Sequence, residues 1–414
     1  MRLFIVEPRA TGGMIHYAYQ LCTALANQGA EVTLVTARDY ELVGFPHNFR
    51  VEPQLQLWSR NVQTVAPPLD RLKLAWWKAY RTVRRGGRAA RLIHQWVHLM
   101  NYLLDQQPDL VQFGSIGFPF EAFFLARLQR RGLVLTQICH EFELREKGDG
   151  LLTGLVSPLY TNVFNHFSAI FLHTESNRQR FLSLFPVPPE RTHAIPHGNE
   201  SLFLAAANGT VTAGDLRRRY GLAPTEPVVL FFGTLTPSKG LPELLKAFAL
   251  IHRAGGAKLV IAGFPSKFVN INDLHQLAVE LDLAKAVIFD TRYIPFEEVG
   301  PLMSLATVVV YPYRSSTQSG ALQVAYAFGR PVVATTVGGL PDAVENGRSG
   351  FLVPPDSPEA LAKAVLQIIN NPALAAEMSA YARHLSETRY SWKPIASQVL
   401  SVYRELLGQK VYSL

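Results

Sequence analysis

The side chains best suited to chemistry in this sequence stand directly after predicted buried strands. Lys239 follows the apolar segment 227–232, and His140 follows VLTQIC at residues 134–139. A lysine can stabilise a phosphate group as negative charge develops on it, and a neutral imidazole can donate or accept a hydrogen bond without changing its charge. Because open α/β sheets bind ligands at the carboxyl ends of their strands, we expect both side chains to face a binding cleft.

A short polar segment supplies a second candidate site. Residues 307–311 form an apolar, β-branched run typical of a parallel strand covered on both faces. The small polar residues after it lead into a helix whose first backbone N–H groups lack partners within the helix. Such a helix terminus attracts anions, and phosphate is the usual one. The candidates for binding are Thr317, Gln318, Ser319 and Gly320.

Strands and helices alternate along most of the chain. The first 45 residues contain a strand, the glycine pair Gly12 and Gly13, a helix and a second strand, and a similar series starts at Pro227 with VVLFFG. Alternation of this kind predicts parallel sheets joined by right-handed crossovers. The fold class is therefore α/β, with two Rossmann-like, doubly wound domains, and the small residues at 203–213 predict the junction between them.

One long motif resembles a known family. The segment GRPVVATTVGGLPDAVENGRSGFLVPPDSPEALAKAV resembles the C-terminal half of a GT-B glycosyltransferase of family 4, including the double glycine and the turn NGRSG. Members of that family are retaining enzymes that transfer a sugar from a nucleotide diphosphate. The resemblance implies two Rossmann-like domains facing a central cleft. It implies an N-terminal acceptor domain at 1–204, completed by a C-terminal helix at 390–414, and a nucleotide-sugar donor domain at 205–389.

The resemblance also assigns expected roles to residues. It implies that His140 contacts the donor sugar near the reacting centre and that Lys239 stabilises the departing diphosphate. HGNESLF begins with His197, which faces either the cleft or a turn. HTES at 173–176 predicts a helix start with Thr174 or Ser176 as N-cap. The other positions expected to bind the donor are Gly12, Gly13, Gly233, Thr234, the nucleobase contacts Tyr293 and Ile294, and the polar turn at 317–320.

Three positions depart from the family pattern. Ser316 and Val324 stand where the commonest pattern has two glutamates, and Thr234 stands where it usually has an arginine. The second glutamate usually holds the ribose of the nucleotide, and the arginine supplies one of two positive charges. The candidates that could replace these groups are Gln323 for the ribose and Arg292 or Arg314 for the charge.

These features predict a hexosyltransferase that uses a nucleotide diphosphate sugar and a glycan or lipid-linked acceptor in polysaccharide or glycolipid biosynthesis. No carboxylate pair is assigned as nucleophile and acid, and no spacing indicates a metal-ligand cluster, so we expect neither a metal nor another cofactor. A GT-B epimerase or phosphorylase is a related alternative. The departures at Ser316, Val324 and Thr234 favour a second alternative, a nucleotide-sugar-binding or scaffold protein that has lost the chemistry.

Composition limits the compartment and the partners. Cys22 and Cys139 have no metal or redox spacing and are interpreted as small core residues. The chain opens with a strand and has no apolar run of membrane-spanning length, so we expect a cytoplasmic protein. No nucleic-acid-binding motif accompanies the net charge of +8.

The positive charge is concentrated in one segment. Residues 71–91 contain eight Lys and Arg and no acid, and the segment 71–96 also carries Trp76, Trp77, Tyr80 and Trp96. Charge with interfacial aromatic residues is typical of a peripheral contact with an anionic membrane surface. A solvated basic helix face or an acceptor-binding groove explains the same composition.

Overall fold

The structure, a computed structural model, contains two parallel β-sheets that each carry helices on both faces. It describes residues 1–55, 71–143, 158–206 and 211–411, and of residues 71–86, 88, 410 and 411 it describes only the backbone. The predicted α/β class with two doubly wound parallel sheets is confirmed. The linker at 203–213 stays a prediction, and its residues 207–210 lie outside the described residues.

The N-terminal sheet has seven strands in the order β3-β2-β1-β4-β5-β6-β7. All of its neighbouring strands run parallel, and Val6 of β1 pairs with Val35 on one side and Phe113 on the other. The order therefore reverses at β1, which creates a crevice at the carboxyl end of that strand. The strands are β1 (Arg2–Val6), β2 (Glu31–Ala37), β3 (Arg50–Leu55), β4 (Leu110–Phe113), β5 (Val134–Ile138), β6 (Ala169–Leu172) and β7 (Thr192–Ala194).

The C-terminal sheet has six parallel strands in the order β10-β9-β8-β11-β12-β13. Here the order reverses at β8, which pairs with β9 and β11. Each sheet thus has its switch point at its first strand. The loop after β1 carries Gly12 and Gly13, and the loop after β8 carries Gly233. The strands are β8 (Val228–Phe232), β9 (Lys258–Ala262), β10 (Val287–Asp290), β11 (Val308–Tyr311), β12 (Val332–Thr335) and β13 (Gly350–Val353).

Helices cover the faces of both sheets. Their apolar residues build one core around the C-terminal sheet and two cores on the faces of the N-terminal sheet. The helices are α1 (Gly13–Ala26), α2 (Arg71–Gln106), α3 (Glu121–Arg130), α4 (Glu175–Leu184), α5 (Leu202–Ala206), α6 (Ala213–Arg219), α7 (Leu241–Gly255), α8 (Ile271–Glu280), α9 (Phe296–Leu305), α10 (Gly320–Ala327), α11 (Leu340–Ala343), α12 (Pro358–Ile369), α13 (Pro372–Glu387) and α14 (Trp392–Val411), and residues 158–164 are also helical.

The last helix returns to the first sheet. Trp392, Ile395, Val399 and Tyr403 of α14 are buried in the same core as α1 and β1. The ring of Trp392 also fills the space next to Gly198, where an added Cβ would lie 2.5 Å from Trp392 Cζ2. The C-terminal helix therefore stabilises the N-terminal fold, whereas the boundary between residues 204 and 205 stays a prediction.

In the basic segment 71–96, one of the aromatic residues interpreted as interfacial is buried. Trp96 is buried and stacks between Phe113 and Phe124, with ring centroids at 5.9 and 5.5 Å. Trp96 is therefore a core residue and not a membrane anchor. The side chains of Trp76, Trp77 and Tyr80 lie outside the described residues. Among the helices in the described part of the chain, none is long and apolar enough to cross a membrane.

The two cysteines match their interpretation as core residues. Cys22 on α1 and Cys139, directly after β5, are both buried and free. Burial raises the pKa of both thiols, so neither is a reactive thiolate at neutral pH.

Candidate active site

A cavity of about 820 Å³ lies between the two sheets, and we call it the interdomain cavity. It is bounded by the loops after β1, β5, β8, β10 and β11, as expected for two sheets whose carboxyl ends face one another. Of the residues predicted as catalytic or donor-binding, all except Thr317 and Gln323 line this cavity. The lining residues are His140, Lys239, Gly12, Gly13, Gly233, Thr234, Tyr293, Ile294, Gln318, Ser319 and Gly320.

Lys239 lies on the C-terminal side of this cavity, in a short 3₁₀ turn after β8. Its Nζ lies 3.5 Å from the centroid of the Tyr313 ring, which is a cation–π contact. The chain then turns through Gly240 at φ 67°, and a Cβ there would lie 1.9 Å from the carbonyl oxygen of Pro312. The loops after β8 and β11 therefore pack closely, which holds Lys239 beside the polar turn.

The first turn of α10 provides backbone donors on the same side of the cavity. The Ser319 hydroxyl caps this helix by accepting the N–H of Leu322 at 3.2 Å. Ser315, Ser316 and Gly320 line the cavity beside it. A helix N-terminus next to a lysine is suited to bind a phosphate group.

His140 approaches from the N-terminal side, where it follows β5. Its Nδ1 shares a hydrogen bond of 2.8 Å with Nε2 of His173, a buried residue directly after β6. Burial is the main reason that the pKa of both imidazoles lies well below the usual value. A backbone hydrogen bond at Ile195 raises the pKa of His173, against the larger effect of burial. Either imidazole can donate in the bond between Nδ1 of His140 and Nε2 of His173, and in both cases Nε2 of His140 lies outside that bond.

His197 completes a group of three buried imidazoles. It lines the interdomain cavity, so it faces the cleft, and its Nδ1 also lies 3.2 Å from the carbonyl oxygen of Gly198. Burial lowers the pKa of His197 to about 4. One nitrogen of each of His140, His173 and His197 lies within 4.8 Å of the others, a spacing that can also suit a metal ion. The sequence alone did not predict this group, because its three members lie in separate loops after β5, β6 and β7.

Thr317 connects the two halves of the molecule instead of lining the cavity. Its hydroxyl donates to the carbonyl oxygen of His140 at 2.7 Å, and its own carbonyl accepts from the Asn177 amide at 2.6 Å. The hydroxyl of Ser176 donates to Asp342 nearby. Thr174, as predicted, caps α4. The polar turn after β11 is thus bonded to the loops that carry His140 and His173.

A second contact across the cavity involves Glu41. One oxygen of Glu41 accepts from the Gly12 N–H at 2.5 Å and lies 2.6 Å from Nε2 of His16, and the other accepts from the Tyr293 hydroxyl at 2.8 Å. Burial raises the pKa of this carboxyl, but the hydrogen bonds and the charge of His16 outweigh burial, so the pKa of Glu41 lies below its usual value. Glu41 is therefore ionised and joins the β1 loop to the predicted nucleobase position.

Arg9 and Glu200 are ionisable residues of the cavity lining that were missed from the sequence. Arg9 lines its N-terminal side, where it follows β1. Glu200 also lines the cavity, is fully buried and accepts a hydrogen bond of 2.9 Å from the Gln20 amide. Burial raises the pKa of Glu200 to about 8, so this carboxyl is protonated at neutral pH and can donate to a ligand.

The three residues predicted to replace the missing glutamate and arginine lie outside the lining of the interdomain cavity. Gln323 is 3% exposed and lines a separate cavity with His173 and Tyr390, so its side chain does not reach the interdomain cavity. Arg292 is paired with Asp290 and Glu298. The remaining candidate, Arg314, pairs with the exposed Asp356 at 2.9 Å. Positive charge in the cavity comes instead from Arg9, Lys239 and Lys267.

Comparison with known proteins agrees with this geometry. Residues 12–198 match the family described as "Glycosyl transferase 4-like domain", and residues 226–371 match "Glycosyl transferases group 1". The chain belongs to the group 1 glycosyltransferases. The two matches leave unmatched residues 1–11 with the first strand, residues 199–225 between the two matches, and the C-terminal helices α13 and α14. They place Lys239 and the polar turn in the group 1 domain of this glycosyltransferase, and His140 in the 4-like domain.

Individual relatives are similar over most of the chain. An alpha-D-kanosaminyltransferase of Streptomyces kanamyceticus is 29% identical over 71% of this chain and 75% of its own length. A D-inositol 3-phosphate glycosyltransferase of Corynebacterium glutamicum is 25% identical over 97% of this chain and 93% of its own. Among solved structures, Anabaena Alr3699/HepE in complex with UDP-glucose superimposes with a TM-score of 0.70, at 19% identity and full coverage of both chains. The structural similarity confirms the GT-B architecture of this glycosyltransferase.

Proposed function

We propose that this glycosyltransferase moves a hexose from a nucleotide diphosphate sugar to a hydroxyl of a glycan or lipid-linked acceptor, with retention of the anomeric configuration. The observation that carries the proposal is the interdomain cavity. It has the volume of a small-molecule site and opposes a phosphate-binding arrangement to a neutral histidine. The names of the relatives support the donor class, since one solved neighbour is a complex with UDP-glucose.

Binding of the diphosphate is assigned to the C-terminal side. Lys239 and the backbone N–H groups at the start of α10 offer positive charge where the leaving group gains negative charge. Tyr293 and Ile294 line the far end of the cavity and are our candidates for the nucleobase contacts. Lys267 adds another cation to the lining. We therefore propose that side chains, without a metal ion, neutralise the diphosphate.

The transfer step balances without a protein nucleophile. The bond between the anomeric carbon and the phosphate oxygen breaks, and a bond forms between that carbon and the acceptor oxygen on the same face of the sugar. The acceptor hydroxyl gives its proton to the departing phosphate. Nε2 of His140 is available for a hydrogen bond to the donor sugar, since Nδ1 of the same ring is engaged with His173.

The test of this function is a transfer assay. Purified protein is incubated with UDP-, GDP- and ADP-hexoses and a panel of sugar and alkyl glycoside acceptors, and products are identified by mass spectrometry. Proton NMR of the product then gives the anomeric configuration. We expect one nucleotide series to be used, a product with the configuration of the donor, and equal rates with and without EDTA. An inverted product would overturn retention, and loss of activity in EDTA that Mg²⁺ restores would overturn the metal-free assignment.

Two residues in the wall of the interdomain cavity favour a second candidate function. Val324 and Ser316 line the interdomain cavity at the positions where the resemblance implied glutamates. An apolar residue cannot hold ribose hydroxyls, so a protein that binds donors without transfer is the alternative. Binding of a nucleotide sugar, seen by ligand-observed NMR, together with no product from any acceptor would favour it.

The membrane contact stays part of the proposal. Its basic side chains between 71 and 86 lie outside the described residues, while Arg91 and the exposed Ile93 and Val97 continue the same helix. We propose that α2 approaches an anionic membrane surface when the acceptor is lipid-linked. Co-sedimentation with vesicles of phosphatidylcholine, with and without phosphatidylglycerol, tests this, and equal sedimentation with both would contradict it.

A further inference from the structure

A second cavity, of about 340 Å³, lies inside the N-terminal domain between α2 and the carboxyl ends of β1 and β4. We call it the Trp96 cavity. Its wall is mainly apolar, and the interdomain cavity does not include it. The residues that define its shape are Leu55, Leu92, Trp96, Leu99, Phe113 and Phe118.

The polar groups of Trp96 and Glu121 in the wall of the Trp96 cavity are already paired. Nε1 of Trp96 donates to one oxygen of Glu121 at 3.1 Å. The other oxygen of Glu121 accepts the backbone N–H groups of Gly117 and Phe118 at 2.8 and 3.1 Å. Burial raises the pKa of Glu121 to about 7. A hydrophilic occupant would find few free partners here, whereas an apolar occupant would bury hydrocarbon surface.

The Trp96 cavity adjoins the candidate active site. Arg9, Ser115 and Gly117 line both the Trp96 cavity and a neighbouring cavity of about 300 Å³ that also contains His140. Arg9 lines the interdomain cavity as well, so its side chain borders all three spaces. A molecule that reaches from the apolar wall to His140 would pass this guanidinium.

The surface beside the Trp96 cavity is also apolar. Phe118 and Phe120 are 47% and 38% exposed and stack on each other with ring centroids at 5.8 Å. Phe123, on α3, is 68% exposed, and Ile93 and Val97 on α2 are partly exposed. A hydrocarbon chain that enters from this side would meet apolar groups along its path.

We propose that the acceptor is an amphiphile whose hydrocarbon chain occupies the Trp96 cavity, whose anionic phosphate lies beside Arg9, and whose free sugar hydroxyl reaches the space in front of His140. The inference rests on the proposed function and adds the chemical class of the acceptor. It requires no change in the chemistry of transfer. The chain provides affinity, the guanidinium pairs with the phosphate, and the polar end receives the hexose.

The test uses alkyl phosphates as probes on the full chain, below their aggregation concentrations. Dissociation constants of inorganic phosphate, butyl phosphate and octyl phosphate are measured by saturation-transfer NMR and calorimetry, and the binding of UDP-, GDP- and ADP-hexoses is measured on the same preparations. Burial of each methylene strengthens binding roughly fourfold, so octyl phosphate should bind at least tenfold more tightly than butyl phosphate. Equal affinities for the three phosphates would overturn the inference.

Three variants place the binding in this cavity. Leu92→Phe narrows it and should weaken octyl phosphate at least tenfold, while His94→Ala, at an exposed position of the same helix outside the cavity lining, should leave it within twofold. Arg9→Gln should weaken octyl phosphate but not octyl glucoside, which has the chain without the charge. Unchanged octyl phosphate binding in a folded Leu92→Phe protein would overturn the inference.

The donor measurements separate this inference from the proposed function. If a nucleotide sugar binds and octyl phosphate does not, the acceptor class is wrong and the transferase proposal stands. If octyl phosphate binds as predicted and no nucleotide sugar binds, the Trp96 cavity is confirmed as an amphiphile site and the proposed function is contradicted.

Discussion

His140 and His173 lie 33 positions apart in the sequence and share a buried hydrogen bond of 2.8 Å between Nδ1 and Nε2. His173 does not line the interdomain cavity, whereas His140 does. The bond fixes the ring orientation of His140, so His173 acts as a positioning residue. It also explains why two neutral histidines are kept together in a buried space.

Replacement of His173 tests this role. His173→Ala removes one buried hydrogen bond of about 0.5–1.5 kcal/mol, so kcat should fall roughly three- to tenfold while the dissociation constant of the donor stays within twofold. His173→Gln, whose amide can still donate to Nδ1, should recover part of the loss. A change confined to the thermal midpoint, with kcat unchanged in both variants, would mean that His173 is only structural.

Lys239 is expected to act directly on the diphosphate. Lys239→Ala should lower kcat/KM by about 10²–10³, the range seen when a preorganised electrostatic group is removed from an active site. Lys246→Ala, on the exposed face of the following helix, is the matched control and should keep wild-type rates. Initial rates at saturating acceptor over a range of donor concentrations give both parameters. A loss of less than threefold in Lys239→Ala would remove this lysine from the proposed site.

The sequence predicted the sheets well because buried parallel strands and glycine loops are local patterns. It also placed Lys239, His140 and residues 318–320 near one cleft, since each lies after a strand whose carboxyl end must lie there. It could not place Gln323, because neighbouring positions on a helix point to different sides and here Val324 faces the cavity.

The positions of long side chains and the contacts between distant loops could not be predicted from the sequence for another reason. Arg292 and Arg314 were candidates by position, yet their guanidinium groups pair with local carboxylates. Arg9 lies in no quoted motif, and Glu200 and His173 lie in HGNESLF and HTES, where neither was assigned a role. Only the packing of distant loops brings these three residues to the site. Burial, which sets the pKa of Glu200, is likewise a property of the folded chain.

Two glycines at the ends of α7 test the close packing behind Lys239. Gly240 and Gly256 have nearly equal φ angles of 67° and 69°, so an alanine is strained by about 1 kcal/mol at either. Only at Gly240 would the new Cβ meet backbone, 1.9 Å from Pro312 O, while nothing lies within 4 Å at Gly256. Chemical denaturation should therefore show a larger loss of stability in Gly240→Ala, with weaker donor binding. Equal losses in the two variants would contradict the packing.

Glu200 predicts a pH-dependent difference in stability. Its pKa is about 8 in the folded protein and 4.5 as a free side chain, so the unfolded chain binds fewer protons between these values and Glu200 destabilises the fold increasingly as pH rises. Glu200→Gln removes this effect. The variant should gain on the wild type by about 1.4 kcal/mol per pH unit at most between pH 5 and pH 8.

The comparison isolates Glu200 because the buried histidines are present in both proteins. The pKa of His197 is lowered to about 4, so this residue acts in the opposite direction and loses stability as pH falls from 6.5. Glu387→Gln, an exposed substitution of the same kind, should show no pH-dependent gain. Denaturation midpoints at pH 5, 6.5 and 8 decide the matter, and a constant difference between Glu200→Gln and wild type would refute the assignment.

The contact between Glu41 and Tyr293 predicts an effect on the approach of the two domains. The Tyr293 hydroxyl donates to an ionised carboxylate of the other domain at 2.8 Å, and such a bond contributes about 1.5–3 kcal/mol. Tyr293→Phe should therefore favour more open molecules, which small-angle scattering detects as a larger radius of gyration, and should weaken donor binding about tenfold. Tyr220→Phe is the matched control, because its hydroxyl donates at 2.6 Å to Asp290 within one domain. Both variants should lose stability, but only Tyr293→Phe should change the radius of gyration and the affinity for the donor. A donor affinity that is unchanged in Tyr293→Phe would show that this bond does not hold the cleft in its binding geometry.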